Sequence, residues 1–394
     1  MVRTGLEQLL RDADRLEGRR YALLAHGAAI SSDGTPAHLA LAQAGQPAAA
    51  LFGPEHGFYG IEQDMVAAAG GEDPLTGVPL LSLYGENACS LRPRGDAFAG
   101  LDLLVVDLQD VGSRYYTYVA TAVWAARAAA AAGCEIWVLD RPNPIGGLEI
   151  EGSLLRPGFE SFVGAFEIPV RHGLTVGELV LYLADGEPWS EAVRVWPMEG
   201  WRRGMTWAET SLPWIPPSPN MPTVETARIY PGGCLVEATE LSEGRGTTRP
   251  FHLVGAPHLS PAELADRLHG VELPGVRFVP TYFRPQFQKH AGRVCGGVEI
   301  LVQDPQVFRP YRTGIELLRA AHACDPRGFA WRAKPYEFVD AIPAIDLLTG
   351  SSAFRQALES GEGASRRLDA WLDSWPEEER RFAEGARGFW IYEG

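Results

Sequence analysis

The sequence predicts an α/β protein: a Rossmann-like parallel-sheet N-terminal domain followed by a smaller α+β C-terminal domain. Three observations carry this. Residues 101–108 (LDLLVVDL) form a nearly unbroken apolar run, too short for a buried helix and suited to a strand covered on both faces. An Ala-rich helix over 120–132, closed by Gly133, leads to a second buried strand at 135–139 (EIWVL), which gives the βαβ order. Residues 207–223 are proline-dense, unsuited to helix or central strand, and long enough for a linker or a binding wall. The domain boundary falls at the end of that stretch, giving 1–223 and 224–394.

Taken in order, Thr4 and Glu7 have capping-box spacing ahead of Leu6, Leu9, Leu10 and Ala13, and open an amphipathic helix. Residues 21–25 are the first core strand, ending at His26. An Ala/Leu helix over 35–45 leads into the strand 47–53 (PAAALFG), and 79–84 (PLLSLY) is a short strand. Residues 168–170 read as a strand running into Arg171-His172-Gly173, and Thr175 with Glu178 repeats the capping box before a helix through Leu183. In the second half, Tyr230-Pro-Gly-Gly precedes a strand at 234–238. Ser260, Pro261 and Glu263 start a helix that Gly270 ends. Strands at 276–280 and 297–302 and a helix at 313–322 follow, and 375–392 reads as a charged helix whose aromatic end docks on the body.

A net charge of −15 without a compensating basic stripe excludes nucleic acid as a partner. No apolar run reaches membrane-spanning length and the amino terminus lacks a signal-peptide core, so the expected location is cytoplasmic. Cys89, Cys134, Cys234, Cys295 and Cys324 are widely spaced and odd in number, which reads as buried free thiols. No G-x-G-x-x-G, Walker or G-x-S-x-G motif is present, so no cofactor is expected.

The chemistry gathers at strand ends. The strand 47–53 runs out into Pro54-Glu55-His56-Gly57, the strand 101–108 into Gln109, Asp110 and Arg114, and the strand 135–139 into Asp140 and Asn143. With Asp107 these groups fall along one rim, where open α/β sheets bind ligands. Tyr115, Tyr116 and Tyr118 follow on the same stretch. In the second half, Glu237, Glu240, Glu243 and Arg245 lie within nine residues, and the glycines flanking Arg245 suit a loop whose backbone hugs a ligand.

The series FGPEHG (52–57), SLYG (82–85), DLQDVGSRYYTY (107–118), LDRPNPIGG (139–147), EG (151–152), RHGLTVGEL (171–179), PPSPNMPT (216–223) and SEGRGTTRPF (242–251) resembles the NamZ-type exo-β-N-acetylmuramidases of bacterial cell-wall recycling, long catalogued as a domain of unknown function. The resemblance implies hydrolysis of a terminal, non-reducing β-1,4-linked N-acetylmuramic acid, in a cleft between the two domains. Glu55 matches the family's proposed catalytic glutamate. The matched motifs supply Asp110 and His56 as further catalytic candidates. They supply Asp107, Gln109, Arg114, Tyr116, Tyr118, Asp140, Asn143, Glu151, His172, Ser218, Asn220, Glu243 and Arg245 as substrate-binding ones. His26 stands where the family commonly has Asn, and members of the family are often exported.

Glycoside hydrolysis needs an acid to protonate the leaving oxygen and commonly a second carboxylate. Beside Phe52, Pro54 and Phe58, Glu55 suits the acid, because apolar surroundings raise a carboxyl pKa. Asp110, Asp107, Asp140 and Glu243 all qualify as its partner, as does the N-acetyl carbonyl of the sugar. The lactyl carboxylate of a muramyl sugar calls for a cation, Arg114 or Arg245. Tyr116, Tyr118 and Trp214 are candidate sugar platforms, or core aromatics. Two other readings stay open. Glu55, His56, Asp107, Asp110, Asp140 and His172 suit the metal site of a metal-dependent hydrolase, although no fixed ligand spacing is present. The chain also fits a non-catalytic peptidoglycan-fragment-binding protein.

Overall fold

The structure is a computed structural model describing residues 1–360 and 364–394. It opens with α1 (Gly5–Arg11), whose first turn is closed as its spacing predicts, Thr4 N donating to Glu7 Oε2 at 2.8 Å. There follow β1 (Tyr21–Ala25), α2 (Ala37–Gln43), β2 (Ala50–Gly53), β3 (Gly71–Glu72) and β4 (Pro79–Ser82). Then come β5 (Leu103–Asp107), α3 (Tyr118–Ala131), β6 (Glu135–Leu139), α4 (Val176–Ala184) and β7 (Val193–Trp196). These strands make one seven-stranded sheet in the order β3-β4-β2-β1-β5-β6-β7. Every neighbouring pair is parallel except β3 with β4.

Both faces of the sheet are covered, which is why β5 reads as a continuous apolar run rather than an alternating one. Leu103 and Val105 share a core with Leu6, Leu9 and Leu41 of α1 and α2. Leu104 and Val106 share another with Ala122, Ala126 and Leu179 of α3 and α4. The chain runs from β1 outward to β2 and later returns to β1's other side as β5. That reversal opens a crevice outside the carboxyl ends of the central strands.

After α5 (Trp207–Thr210) the proline-rich stretch leads to α6 (Val224–Gly233), β8 (Leu253–Ala256), α7 (Pro261–His269), β9 (Val276–Phe283), β10 (Cys295–Val302) and α8 (Pro310–Cys324). The strands form an antiparallel sheet, β8-β10-β9. The chain closes with α9 (Ala344–Thr349), α10 (Ala353–Glu359), α11 (Ala364–Leu372) and α12 (Trp375–Ala386). Among the described residues no helix is long and apolar enough to cross a membrane.

Several local expectations are corrected. Cys234–Ala238 is a 3-10 turn continuing α6, not a strand. Tertiary packing overrides the Pro-Gly-Gly break there: a Cβ on Gly232 would lie 1.9 Å from Pro310 O, so only glycine lets α6 cross α8 this closely. Residues 168–170 form no strand, and Arg171 instead makes isolated bridges to Ser113 and Glu151. The proline-dense stretch begins with a helical turn, α5, held by a capping box at Thr206 and Glu209. All five cysteines are free, but Cys89 is exposed and Cys324 half-buried.

The tail beyond α12 is not a continuous helix. It returns to the first domain: Tyr392 Oη donates to Asp140 Oδ2 at 2.6 Å, and Ile391 N donates to Glu178 Oε1 at 2.9 Å. Glu178 also pairs with the fully buried Arg203 at 2.6 Å, whose guanidinium lies 4.2 Å from the Trp390 ring centroid. Arg203→Met leaves Glu178 as a buried charge without its cation, so a loss of about 3–5 kcal/mol is expected, read by denaturant titration.

Candidate active site

The site begins where β2 ends. Gly53 packs so tightly that a Cβ would come 2.7 Å from Phe58 N, and the chain reverses at once, Gly57 N donating to Pro54 O at 3.0 Å. His56 takes a left-handed φ of 69°, which a residue with a Cβ adopts only when the surroundings impose it. This turn carries Glu55 and His56 away from the sheet, both under one-tenth exposed. Thr117, just before α3, donates its hydroxyl to Glu55 Oε2 at 2.7 Å, and Oε1 has no hydrogen-bond partner among the described residues. His56 Nδ1 donates to Glu62 O at 2.8 Å, because a carbonyl can only accept. In the neutral ring that leaves Nε2 as an acceptor.

These groups line a cavity between the two halves of the chain. Tyr116, Thr117, Ser218 and Asn220 share its N-terminal side, and Tyr230, Glu237, Arg245, Tyr336 and Glu337 its C-terminal side. Among the described residues Arg245 is the one arginine on its walls, and it is surrounded by acids. It pairs with Asp64, with Glu237 at 2.8 Å and with Glu243 at 3.8 Å. Burial opposes the Arg245 charge, but Glu237, Asp64 and Glu243 outweigh it and hold the guanidinium firmly protonated. Burial likewise pushes Glu243 up, and Lys289 at 2.9 Å together with Arg245 reverses that, leaving it below the ordinary range. Glu237, buried and near Asp64 and Glu243, stays above its ordinary value despite Arg245. Glu337 is raised well above the carboxylate range, first by burial and then by the charge of Glu55.

Of the candidate site residues, the cavity receives Glu55, His56, Tyr116, Ser218, Asn220 and Arg245. The others hold the scaffold. Asp107 is engaged by Arg141 at 2.5 Å and Asp140 by Thr175, Gly177 N and Tyr392, burial raising the Asp140 carboxyl to about 7. Gln109 bridges Asp110 O and Pro142 O, and Asn143 joins Leu174 O to Ile145 N. Glu151 accepts from Tyr311 N and Arg312 N at the start of α8. Asp110 accepts from Gly112 N at 2.6 Å and faces His172 Nε2 at 3.4 Å, outside the cavity lining. Arg114 donates to the Ser153, Ile168 and Leu348 carbonyls and presents nothing to a lactyl group. Tyr118 is buried with its hydroxyl on Pro217 O, and Trp214 braces the proline-rich stretch through Met221 O; neither lines the cavity. Glu243 lies in an outer pocket that shares Asp64, Glu237 and Arg245 with the cavity. His26 accepts from Gln109 N at 2.9 Å, and burial, with Arg141 and His56 nearby, lowers it to about 3 and keeps it neutral.

The reading of the strand ends missed Thr117, Asp64, Tyr336 and, above all, Glu337. Glu337 stands in a stretch without cap, repeat or periodicity (WRAKPYEFVDAIP), and only the folded chain brings it opposite Glu55. The oxygen-and-imidazole metal set does not assemble: among the described residues no three His, Cys, Asp or Glu side chains are placed to hold an ion.

Carboxyl groups from two domains meeting in a tyrosine-walled cavity define an acid–base enzyme acting on a small polar ligand. Comparison with known proteins gives the family. The description "Exo-beta-N-acetylmuramidase NamZ, N-terminal" matches residues 21–225 and its C-terminal counterpart residues 228–392, so the chain belongs to the NamZ exo-β-N-acetylmuramidase family. It is 37% identical over 393 residues to the peptidoglycan β-N-acetylmuramidase NamZ of Bacillus subtilis (strain 168), covering 99% of this chain and 91% of that protein. Two crystal structures of DUF1343 family proteins from Bacteroides fragilis NCTC 9343 share the fold. One has a TM-score of 0.87 at 31% identity, covering 100% of this chain and 99% of the other. The second has a TM-score of 0.76 at 28% identity with the same coverage.

The charge cluster is open to test. Arg245→Met strands Asp64, Glu237 and Glu243 without their shared cation, and a stability loss of about 3–5 kcal/mol is expected. Adding Glu237→Gln should recover part of it, as a double-mutant cycle in thermal denaturation would reveal.

Proposed function

We propose that the protein is a glycosidase that releases the non-reducing terminal β-1,4-linked N-acetylmuramic acid from peptidoglycan fragments. The observation that carries this reading is the strained Pro54–Gly57 turn, which presents Glu55 to an interdomain cavity in a chain matching the family along nearly its whole length. Glu55→Gln should keep the fold and lower turnover by about 10²-fold or more. Dialysis against a chelator should leave the rate unchanged, and a loss restored by zinc or manganese would turn the assignment toward metal-dependent hydrolysis.

The lactyl carboxylate does not suit the centre of the cavity, where Glu55, Asp64, Glu237 and Glu337 face one neutralised arginine. The outer pocket adds Arg332 and Lys334, neither of which makes an ion pair among the described residues. Arg332 therefore replaces Arg114 and Arg245 as the cation for that group. A charge-assisted contact is worth roughly 1.5–3 kcal/mol. The muramyl glycoside should then exceed the N-acetylglucosaminyl one by about tenfold or more in kcat/KM, and Arg332→Ala should erase most of the preference while sparing the slower substrate. Equal rates on the two sugars, or internal cleavage of intact peptidoglycan, would refute the exo-muramidase reading.

A further inference from the structure

The hairpin that delivers Glu337 has a backbone its sequence does not favour. Tyr336 and Val339 exchange both backbone hydrogen bonds, Tyr336 N to Val339 O at 2.8 Å and Val339 N to Tyr336 O at 2.9 Å. The two residues between them, Glu337 and Phe338, have φ of 46° and 66°. A two-residue loop with both central residues left-handed is the turn that Asn-Gly or Asp-Gly fills without strain, and here it holds two residues with long side chains. Phe338 packs against the Tyr84 ring at 5.4 Å, and Tyr84 Oη donates to Glu337 Oε2 at 2.9 Å. The other carboxyl oxygen of Glu337 has no partner among the described residues, in the cavity that also holds the unpaired oxygen of Glu55. Strain of this kind persists where the surroundings over-determine it, and it concentrates at functional sites.

We propose that Glu337 is the catalytic proton donor and that Glu55 is the carboxylate facing the anomeric carbon, an assignment that rests on the glycosidase reading above. The acid role that the sequence suggested for Glu55 passes to the residue across the cavity. In the step, the bond from C1 to the glycosidic oxygen breaks with its electron pair going to oxygen. That oxygen takes the Glu337 proton and leaves as a hydroxyl, while Glu55 balances the positive charge at C1. A water then adds to C1 and gives its proton to the Glu337 carboxylate, so one water is consumed and both carboxyls return to their starting states. The raised Glu337 carboxyl agrees with this role, since burial and the Glu55 charge favour its protonated form. A donor is lost as pH rises through its pKa, so Glu337 sets the alkaline limb of the rate profile.

The test uses two muramyl substrates, a disaccharide with a sugar leaving group and a dinitrophenyl glycoside whose leaving group needs no protonation. Glu337→Gln should lose about 100-fold or more in kcat/KM on the disaccharide and less than about tenfold on the dinitrophenyl glycoside, and the alkaline limb that the wild type shows on the disaccharide should be weak or absent on the dinitrophenyl glycoside. Glu55→Gln should be slow on both. Glu337→Asn relieves the turn, so its thermal midpoint should be no lower than the wild type's while its disaccharide activity is lost, which separates catalysis from folding. Equal losses of the Glu337 variants on both substrates, or wild-type turnover of the disaccharide, would overturn the assignment. Wild-type protein that hydrolyses neither substrate would refute the glycosidase reading itself, and this assignment with it.

Discussion

Arg245 is the constraint on which the site depends. It joins Asp64, on the loop after β2, to Glu237 and Glu243 of the second half, so one guanidinium ties the two walls of the cavity together. Removing ions from water is expensive, and such a cluster stands only when every member keeps a partner. Here Lys289 completes Glu243, and the Tyr336 hydroxyl completes Glu237 at 2.7 Å. Because Arg245 is already shared among these acids, it does not neutralise Glu55 and Glu337. The cavity stays acidic, which suits it to hydroxyl and amide groups and to proton transfer.

The same requirement explains why most polar groups at the sheet's rim serve structure. Loops that close over strand ends bring backbone groups out of water, and each needs a partner. Arg114 satisfies three carbonyls from three segments, and Arg141 spans Asp107 and Ile30 O. Asp140 gathers a helix start and the returning tail. Residue type and position on the rim were readable from the sequence. Which of them meet a ligand depended on loops arriving from hundreds of residues away, such as Leu348 and Tyr392, and no local pattern encodes that.

What was legible follows from short-range physics. The buried strands β1, β5 and β6 showed as apolar runs, and α1, α4 and α7 announced themselves through their caps. The Pro-Glu-His-Gly turn was visible as a motif, and the family resemblance marked its glutamate. What failed were places where packing overrides propensity. Pro231, Gly232 and Gly233 look like a break, yet they belong to a helix because Gly232 rests against Gly314 and Pro310 of α8. Glu337 and Phe338 look like unremarkable loop residues, because the turn they occupy lacks the Asn-Gly that signals it.

Glu55 and Glu337, the cavity carboxyl groups outside the Arg245 cluster, come from turns with unfavourable backbones. Glu55 is pinned between Pro54 and the left-handed His56, and Glu337 is itself left-handed. A relaxed sequence at either turn would place glycine or asparagine where strain now falls, and at 337 it would remove the carboxyl altogether. The strain is therefore sustained from outside the turns. The Thr117 hydroxyl fixes one carboxylate and the Tyr84 hydroxyl the other, while the Arg245 cluster prevents the walls from parting to relieve either turn. A site of this construction is positioned by its tertiary partners rather than by its own loops, so the residues that shape its chemistry extend to side chains that never touch the substrate.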